Sequence, residues 1–208
     1  MSSKILGISG SPVKESNIDK TIKKVMEGSG VEGEFVKLSK YDIKPCRACL
    51  KCVDDNSCVL NDDYGNQLED KVKDADGLVI GAYPTFASVD AGTKTLLERT
   101  YSLRHNKILT AGKKAVIVAG GFKGNQQVED WLNLFCKAQQ IDVVGTMQTC
   151  GNATCLVCGA GETCKISNVP AVYGADKIEK SMFRNFENIP ELQEEAYNLG
   201  VKLKEHLK

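Results

Sequence analysis

The sequence predicts an α/β fold, a doubly wound five-stranded parallel sheet with strand order 2-1-3-4-5, from two observations. Short apolar runs alternate with helical patterns from one end of the chain to the other, the signature of right-handed crossovers between parallel strands. Several of those runs are rich in Val and Ile, as strands buried on both faces should be. A chain of 208 residues buries one substantial core, so one domain over 1–208 is expected.

The strands are read at Lys4 to Ser9, Gly33 to Leu38, Gly77 to Ala82, Lys113 to Ala119 and Ile141 to Gln148. Helical patterns fill the intervals at Ile18 to Glu27, Asp62 to Lys73, Ala91 to Leu103 and Asn125 to Gln140. A last helix follows Asn188, where Pro190 suits a first helical position and Leu192, Ala196, Leu199 and Leu203 form an apolar stripe. Five strands alternating with five helices fit a flavodoxin-like sheet better than a six-stranded dinucleotide fold. Residues 165–188, with Pro170 and Gly174, follow neither period and are expected to form an irregular surface strap or subunit contact.

Charge narrows the partners. Lys plus Arg and Asp plus Glu both number 27, so no overall field favours nucleic acid or an anionic membrane. Met1-Ser-Ser-Lys4 runs straight into Ile5 to Ile8, without the long apolar stretch of a signal peptide or membrane span, and a cytoplasmic location is expected. Nine cysteines in a reducing compartment argue against a disulfide framework. Eight of them fall into two short segments, at 44–60 and 149–165, while Cys136 stands alone among Trp131, Leu134 and Phe135 and is read as a core residue.

The first strand leads into Gly7-Ile-Ser-Gly-Ser-Pro-Val-Lys-Glu-Ser-Asn17 and directly into a helix. A small-residue turn at a helix N-terminus offers free amides and a favourable dipole to a phosphate monoester. Ser9, Ser11, Ser16 and Asn17 add side-chain donors. The segment lacks both the P-loop and the G-x-G-x-x-G spacing; without a ligand, the same residues read as an ordinary helix cap.

Gly10-Ser-Pro with Ser16-Asn17, Tyr83-Pro-Thr-Phe-Ala-Ser88 after the third strand and Ala119-Gly-Gly121 after the fourth resemble the NADPH-dependent FMN reductase family. Within it, the segment from Pro45-Cys46 resembles the iron-sulfur flavoproteins. The resemblance implies that Ser9, Ser11, Ser16 and Asn17 hold the FMN phosphate. It implies also that Pro84, Thr85, Phe86 and Ser88 border the flavin ring and that Gly120, Gly121 and Phe122 form its other wall. Ile18 departs from the pattern, standing where such proteins often carry Thr. Ring loops of this composition also make sense on their own terms, since a planar apolar ring with a polar edge calls for close backbone approach, aromatic contacts and a few amides.

The first cysteine motif, C-x2-C-x2-C-x5-C over Cys46, Cys49, Cys52 and Cys58, suits a [4Fe-4S] cluster, with structural zinc and a redox disulfide as rivals. The second, C-x4-C-x2-C-x5-C over Cys150, Cys155, Cys158 and Cys164, is less familiar; a second [4Fe-4S] cluster is preferred, with zinc or free thiols as alternatives. Lys44, Arg47 and Lys51 flank the first motif and suit an acidic donor, although Asp54 and Asp55 weaken a simple patch. His105 and His206 are expected to face solvent, and no catalytic side chain is assigned.

The resemblance therefore implies an FMN- and iron-sulfur-dependent oxidoreductase. Ferredoxin or a similar one-electron donor would feed it, and a small acceptor such as oxygen, peroxide or a quinone-like compound would be reduced. A homodimer or homotetramer is expected from the same source. The rivals are an NAD(P)H-dependent FMN or quinone reductase with structural metal, and a plain electron carrier.

Overall fold

A computed structural model describes residues 3–207; Met1 and Ser2, read above as part of the chain's start, and Lys208 lie outside the described residues. Strands β1 (Ile5–Ser9), β2 (Gly33–Lys37) and β3 (Gly77–Ala82) open the fold, followed by a short hairpin of β4 (Pro84–Thr85) and β5 (Ser88–Val89), then β6 (Lys114–Gly121) and β7 (Asp142–Cys150). The main sheet has the order β2-β1-β3-β6-β7 and every pair in it is parallel. Setting the hairpin aside, this is the expected 2-1-3-4-5.

The helices are α1 (Asn17–Ser29), α2 (Glu69–Asp74), α3 (Ala91–Arg99), α4 (Asn125–Ala138), α5 (Thr154–Val157), α6 (Val169–Tyr173) and α7 (Pro190–His206). Side-chain alternation sorts the core into two layers. Leu6, Ile8, Leu78, Ile80, Ala115 and Ile117 meet Val72, Leu96, Val128 and Leu132 from α2 to α4 on one face. Ile5, Val79, Val116, Val118 and Met147 meet Ile22, Val25, Ala196 and Leu203 from α1 and α7 on the other. The period of two therefore works even where both faces are buried. On the second face α1 and α7 approach through glycine: a Cβ on Gly200 would lie 2.0 Å from Val25 O.

Three expectations shift in detail. The helix read from Asp62 begins as a five-residue π-helical segment, Tyr64–Leu68, before α2. The helix read over Ala91 to Leu103 tightens to a 3-10 turn after Arg99. Two strands run longer than their apolar cores, so Gly120, Gly121 and Cys150 are strand residues and Gly121 pairs with Cys150. Ladder hydrogen bonds continue through these residues because small side chains and a parallel neighbour permit it, whatever the hydrophobic pattern. Among the described residues, no helix is long and apolar enough to cross a membrane.

Candidate flavin and iron-sulfur site

All five main strands point the same way, so the loop after β1, the cysteine loop after β2, the β4–β5 hairpin, the end of β6 and the second cysteine segment after β7 gather at one sheet edge. In open α/β sheets that carboxyl edge is where ligands bind.

The loop after β1 is tied down from below. A Cβ on Gly10 would fall 2.0 Å from Thr93 Oγ1 and 2.5 Å from Asp90 Oδ2, so only glycine lets the chain pass over the N-cap of α3. Asp90 is buried and caps that helix, accepting from the Thr93 and Tyr83 amides; burial pushes its carboxyl up, against these hydrogen bonds. Ser9 Oγ donates to Asp19 Oδ1 at 2.6 Å, and Ser16 closes a capping box with Asp19. Lys37 Nζ reaches Asp19 at 2.5 Å. Burial raises the Asp19 carboxyl, but the hydrogen bonds from Lys37, Ser9 and Ser16 and the Lys37 charge outweigh it and hold it low.

The four side chains predicted for phosphate thus divide. Ser9 and Asn17 are committed to protein: Asn17 Nδ2 donates to Cys150 O at 3.1 Å and Arg184 O at 2.9 Å, and its Oδ1 accepts from the Phe186 amide at 3.1 Å. Ser11 and Ser16 Oγ accept from the Val13 and Asp19 amides and keep their own protons for another acceptor. Glu15, at φ 48°, reverses the backbone beside them, a turn of the kind that aims amides at an anion. Ile18 is buried, lying where a Cβ on Gly81 or Gly120 would be. Its side chain packs between the strands' glycines and offers no hydrogen-bond donor to the loop.

The hairpin after β3 carries the segment expected to border a ring. Phe86 and Ala87, at φ 50° and 55°, occupy the two central turn positions, where glycine or asparagine is the usual choice. Phe86 is fully exposed (101%), so the strained turn holds an aromatic ring off the protein surface. Behind it, Pro84 sits on a glycine ledge: a Cβ on Gly121 would meet Pro84 Cδ at 2.5 Å. Thr85 and Ser88 face each other across the hairpin. Phe122 packs with Tyr173, ring centroids 6.2 Å apart. Beside this wall, Asn125 Nδ2 donates to Gly121 O and Thr149 O, while its buried Oδ1 has no partner among the described residues.

The first cysteine motif wraps one small cavity. Cys46, Cys49, Cys52 and Cys58 all line it, together with Leu50, Arg99 and Tyr101. Its volume is about 30 Å³, the scale of single water molecules, so a larger guest needs the exposed Cys46–Cys49 arm to move outward. Left-handed backbone at Ala48, Leu50 and Asn56 makes the loop double back on itself. Burial pushes the Cys52 thiol up, and the charges of Cys58, Cys49 and Cys46 push it the same way, as closely placed thiolates must. All nine cysteines are free.

A buried polar frame supports this loop. Arg99, 1% exposed, pairs with Asp62 through Nη1–Oδ2 (2.5 Å) and Nη2–Oδ1 (3.1 Å), and its Nη2 also donates to Cys58 Sγ at 3.1 Å. Burial raises the Asp62 carboxyl, but the Arg99, Lys44 and Gly65 hydrogen bonds bring it below its usual range. Glu69 accepts from the Cys58 amide at 3.0 Å and from the hydroxyls of Ser57 and Ser102. His105, expected at the surface, instead stands with Nε2 3.1 Å from Cys52 Sγ. Arg99, Glu69 and His105 lay outside the motif reading because they stand 11 to 53 residues away in sequence from their cysteine partners, and Asp62 because it reaches the motif only through Arg99. A charged Arg99 on the buried side of its helix was the available signal.

The second motif is arranged differently. Cys150 ends β7 inside the α1–α7 layer, and burial pushes its thiol up, partly offset by Arg184 and Lys20. Cys155 belongs to a separate small cluster around Leu156 and Val169 and accepts from the Asn168 amide at 3.4 Å. Cys158 and Cys164 are exposed on the same turn-rich loop. Among the described residues, in this motif and in the first alike, no three His, Cys, Asp or Glu side chains converge as ligands of a single ion. The strap beyond is held in place: Asn152 and Arg184 exchange two hydrogen bonds, Lys20 pairs with Glu187 at 2.7 Å, and Phe186 is buried.

The model of the NADPH-dependent FMN reductase family matches residues 3–152. An iron-sulfur flavoprotein of Methanosarcina thermophila is 33% identical over 141 residues, 63% of this chain and 73% of that protein. Another, from Methanocaldococcus jannaschii, is 35% identical over 104 residues, covering 49% of this chain and about half, 53%, of the relative. RosB, solved with bound 8-demethyl-8-formylriboflavin-5'-phosphate, superposes with a TM-score of 0.62 at 17% identity, over 98% of this chain and 81% of RosB, a likeness of fold. With a flavodoxin-type sheet, a family match that spans the β4–β5 hairpin, the end of β6 and the first cysteine motif, and iron-sulfur flavoproteins as relatives, this chain belongs to the NADPH-dependent FMN reductase family, among its iron-sulfur flavoproteins, and is a flavin-dependent oxidoreductase.

Proposed function

We propose that the chain binds FMN at the carboxyl edge and a [4Fe-4S] cluster in the first cysteine loop, and couples one-electron transfer to two-electron reduction of a small acceptor. The observation that carries the reading is the cavity lined by Cys46, Cys49, Cys52 and Cys58 on the same edge as the ring loops. A cubane passes single electrons and flavin takes or gives two, so together they change electron number.

For the flavin, Ser11 and Ser16 hydroxyls and the amides turned by Glu15 suit the phosphate, with Ser9 and Asn17 shaping the loop rather than touching the ligand. Pro84, Thr85, Phe86 and Ser88 border one side of the ring and Gly120, Gly121 and Phe122 the other. The partnerless Asn125 Oδ1 offers an acceptor to a ring N–H. For the cluster, Cys46, Cys49, Cys52 and Cys58 would each supply one thiolate, with the exposed Cys46–Cys49 arm moving outward to admit it. For the second motif, Cys155, Cys158 and Cys164 share one loop, and a second cluster or zinc there would draw Cys150 out of the apolar layer.

The proposed donor is ferredoxin or a similar one-electron carrier. The family's description favours a second reading, direct reduction by NADPH with the cysteines holding structural metal. Anaerobic turnover separates them: flavin reduction by reduced ferredoxin that is lost in Cys52→Ser supports the proposal. Equal NADPH-driven rates in wild type and Cys52→Ser, with no response to ferredoxin, overturn it.

A further inference from the structure

The buried frame under the first cysteine loop contains more than packing needs. Arg99 has the largest fully buried side chain of the described residues, and an arginine is rarely sealed from water without a reason. Its five N–H donors are not all spent. Nη1 and Nη2 hold Asp62 in a two-point pair, Nη1 also donates to Lys44 O at 2.8 Å, and Nη2 donates to Cys58 Sγ. Nε has no partner among the described residues, and the guanidinium lies 4.6 Å from the centroid of the Tyr64 ring.

Asp62 alone does not account for this arrangement, since a carboxylate pair can be replaced by apolar packing with little loss. What an apolar pair cannot supply is a fixed positive charge with an N–H aimed at one cysteine sulfur. The tether also fixes direction: Asp62 is itself held by the Lys44 and Gly65 amides, so the guanidinium is locked in the plane that presents Nη2 to Cys58.

We propose that Arg99 is a potential-setting residue: its Asp62-anchored guanidinium donates to Cys58 Sγ and makes the cluster held by that sulfur easier to reduce. This rests on the cluster reading given above and deepens it. On reduction one electron is added from a one-electron donor, no bond forms or breaks, and the added negative charge is spread partly over the cysteine sulfurs. A charge-assisted N–H at 3.1 Å favours that more negative state over the oxidised one. Arg99 is a positioning and tuning group, not a catalytic residue.

The test is an anaerobic, EPR-monitored titration with dithionite at pH 7 on wild type, Arg99→Lys and Asp62→Asn, with iron, sulfide and FMN counted in each sample. Lysine keeps a charge for Asp62, but its single ammonium cannot also reach Cys58 in the planar geometry. Arg99→Lys is expected to lower the cluster midpoint by at least tenfold in the reduction equilibrium, 59 mV for one electron, while the flavin midpoint stays put. Asp62→Asn removes a negative charge and leaves the guanidinium, so the cluster midpoint rises. A purely structural role moves both variants the same way, which overturns the inference, as does a loaded Arg99→Lys protein with an unshifted midpoint. If Arg99→Lys holds no iron, Asp62→Asn decides alone, a midpoint at or below wild type being the contrary result. Wild type without iron defeats the cluster reading itself, and with it this one.

Discussion

Replacing Gly10 by alanine tests whether the loop after β1 is built on the α3 cap. The added Cβ would stand 2.0 Å from Thr93 Oγ1 and 2.5 Å from Asp90 Oδ2, against the 3.4 Å at which ordinary contact begins. Both atoms belong to a buried cap, so neither can swing into solvent. Overpacking costs about 1–3 kcal/mol and a damaged N-cap about 1 kcal/mol more, so Gly10→Ala should lose about 2–4 kcal/mol. Urea unfolding of the apoprotein followed by circular dichroism reads that loss as a lower midpoint at constant slope. Thr93→Ala removes the nearer obstacle, so the double variant should be more stable than the sum of the two single losses, with a coupling of about 1–2 kcal/mol. FMN affinity, read by fluorescence quenching, should fall about tenfold in Gly10→Ala and partly recover in the double variant. A Gly10→Ala protein within about 0.5 kcal/mol of wild type, or strict additivity, would refute the reasoning.

Other outcomes follow from the same geometry. Because the folded Asp19 carboxyl is held low, its contribution to stability is complete above the ordinary carboxylate range and is lost as pH falls through the depressed value, below about pH 4. Asp19→Asn should flatten that acid limb in urea titrations from pH 7 to pH 3, and parallel limbs in both proteins would count against the Lys37–Asp19 pairing. Phe86 buries no surface at 101% exposure, so Phe86→Ala should change stability by less than about 0.5 kcal/mol yet weaken FMN binding. Unaltered FMN affinity would remove Phe86 from the flavin border. Burial pushes the Cys136 thiol up to about 12, so iodoacetamide at pH 8 should label it only after unfolding. Labelling of folded protein at the rate of exposed Cys158 would contradict its place in the core.

Much of the fold was legible because parallel strands buried on both sides read as short Val- and Ile-rich runs alternating with helical patterns, and the strand order followed from the fold class that this alternation fits. The hairpin at Pro84–Val89 was not, since two-residue strands have no periodicity to detect. Of the candidate site, the four thiols of the first loop were visible from spacing alone. Arg99, Asp62 and Glu69 were hidden because a helical pattern records which residues face inward on average, not which charges find buried partners. Asn17 shows the limit from the other side: its type suits a phosphate, but the strap residues Arg184 and Phe186, far along the chain, occupy its amide. Cys150 was grouped with Cys155 by proximity in sequence, while the strand that continues through it turns it into the sheet layer.

The account stands on electron-carrying iron held by the loop after β2 beside the flavin edge. Counting iron, acid-labile sulfide and FMN in anaerobically purified wild type and Cys52→Ser tests it most directly. The predicted result is a loss of about four iron and about four sulfide per FMN in Cys52→Ser, with FMN itself retained. Iron content unchanged by that substitution, or zinc in place of iron in the wild type, would contradict it.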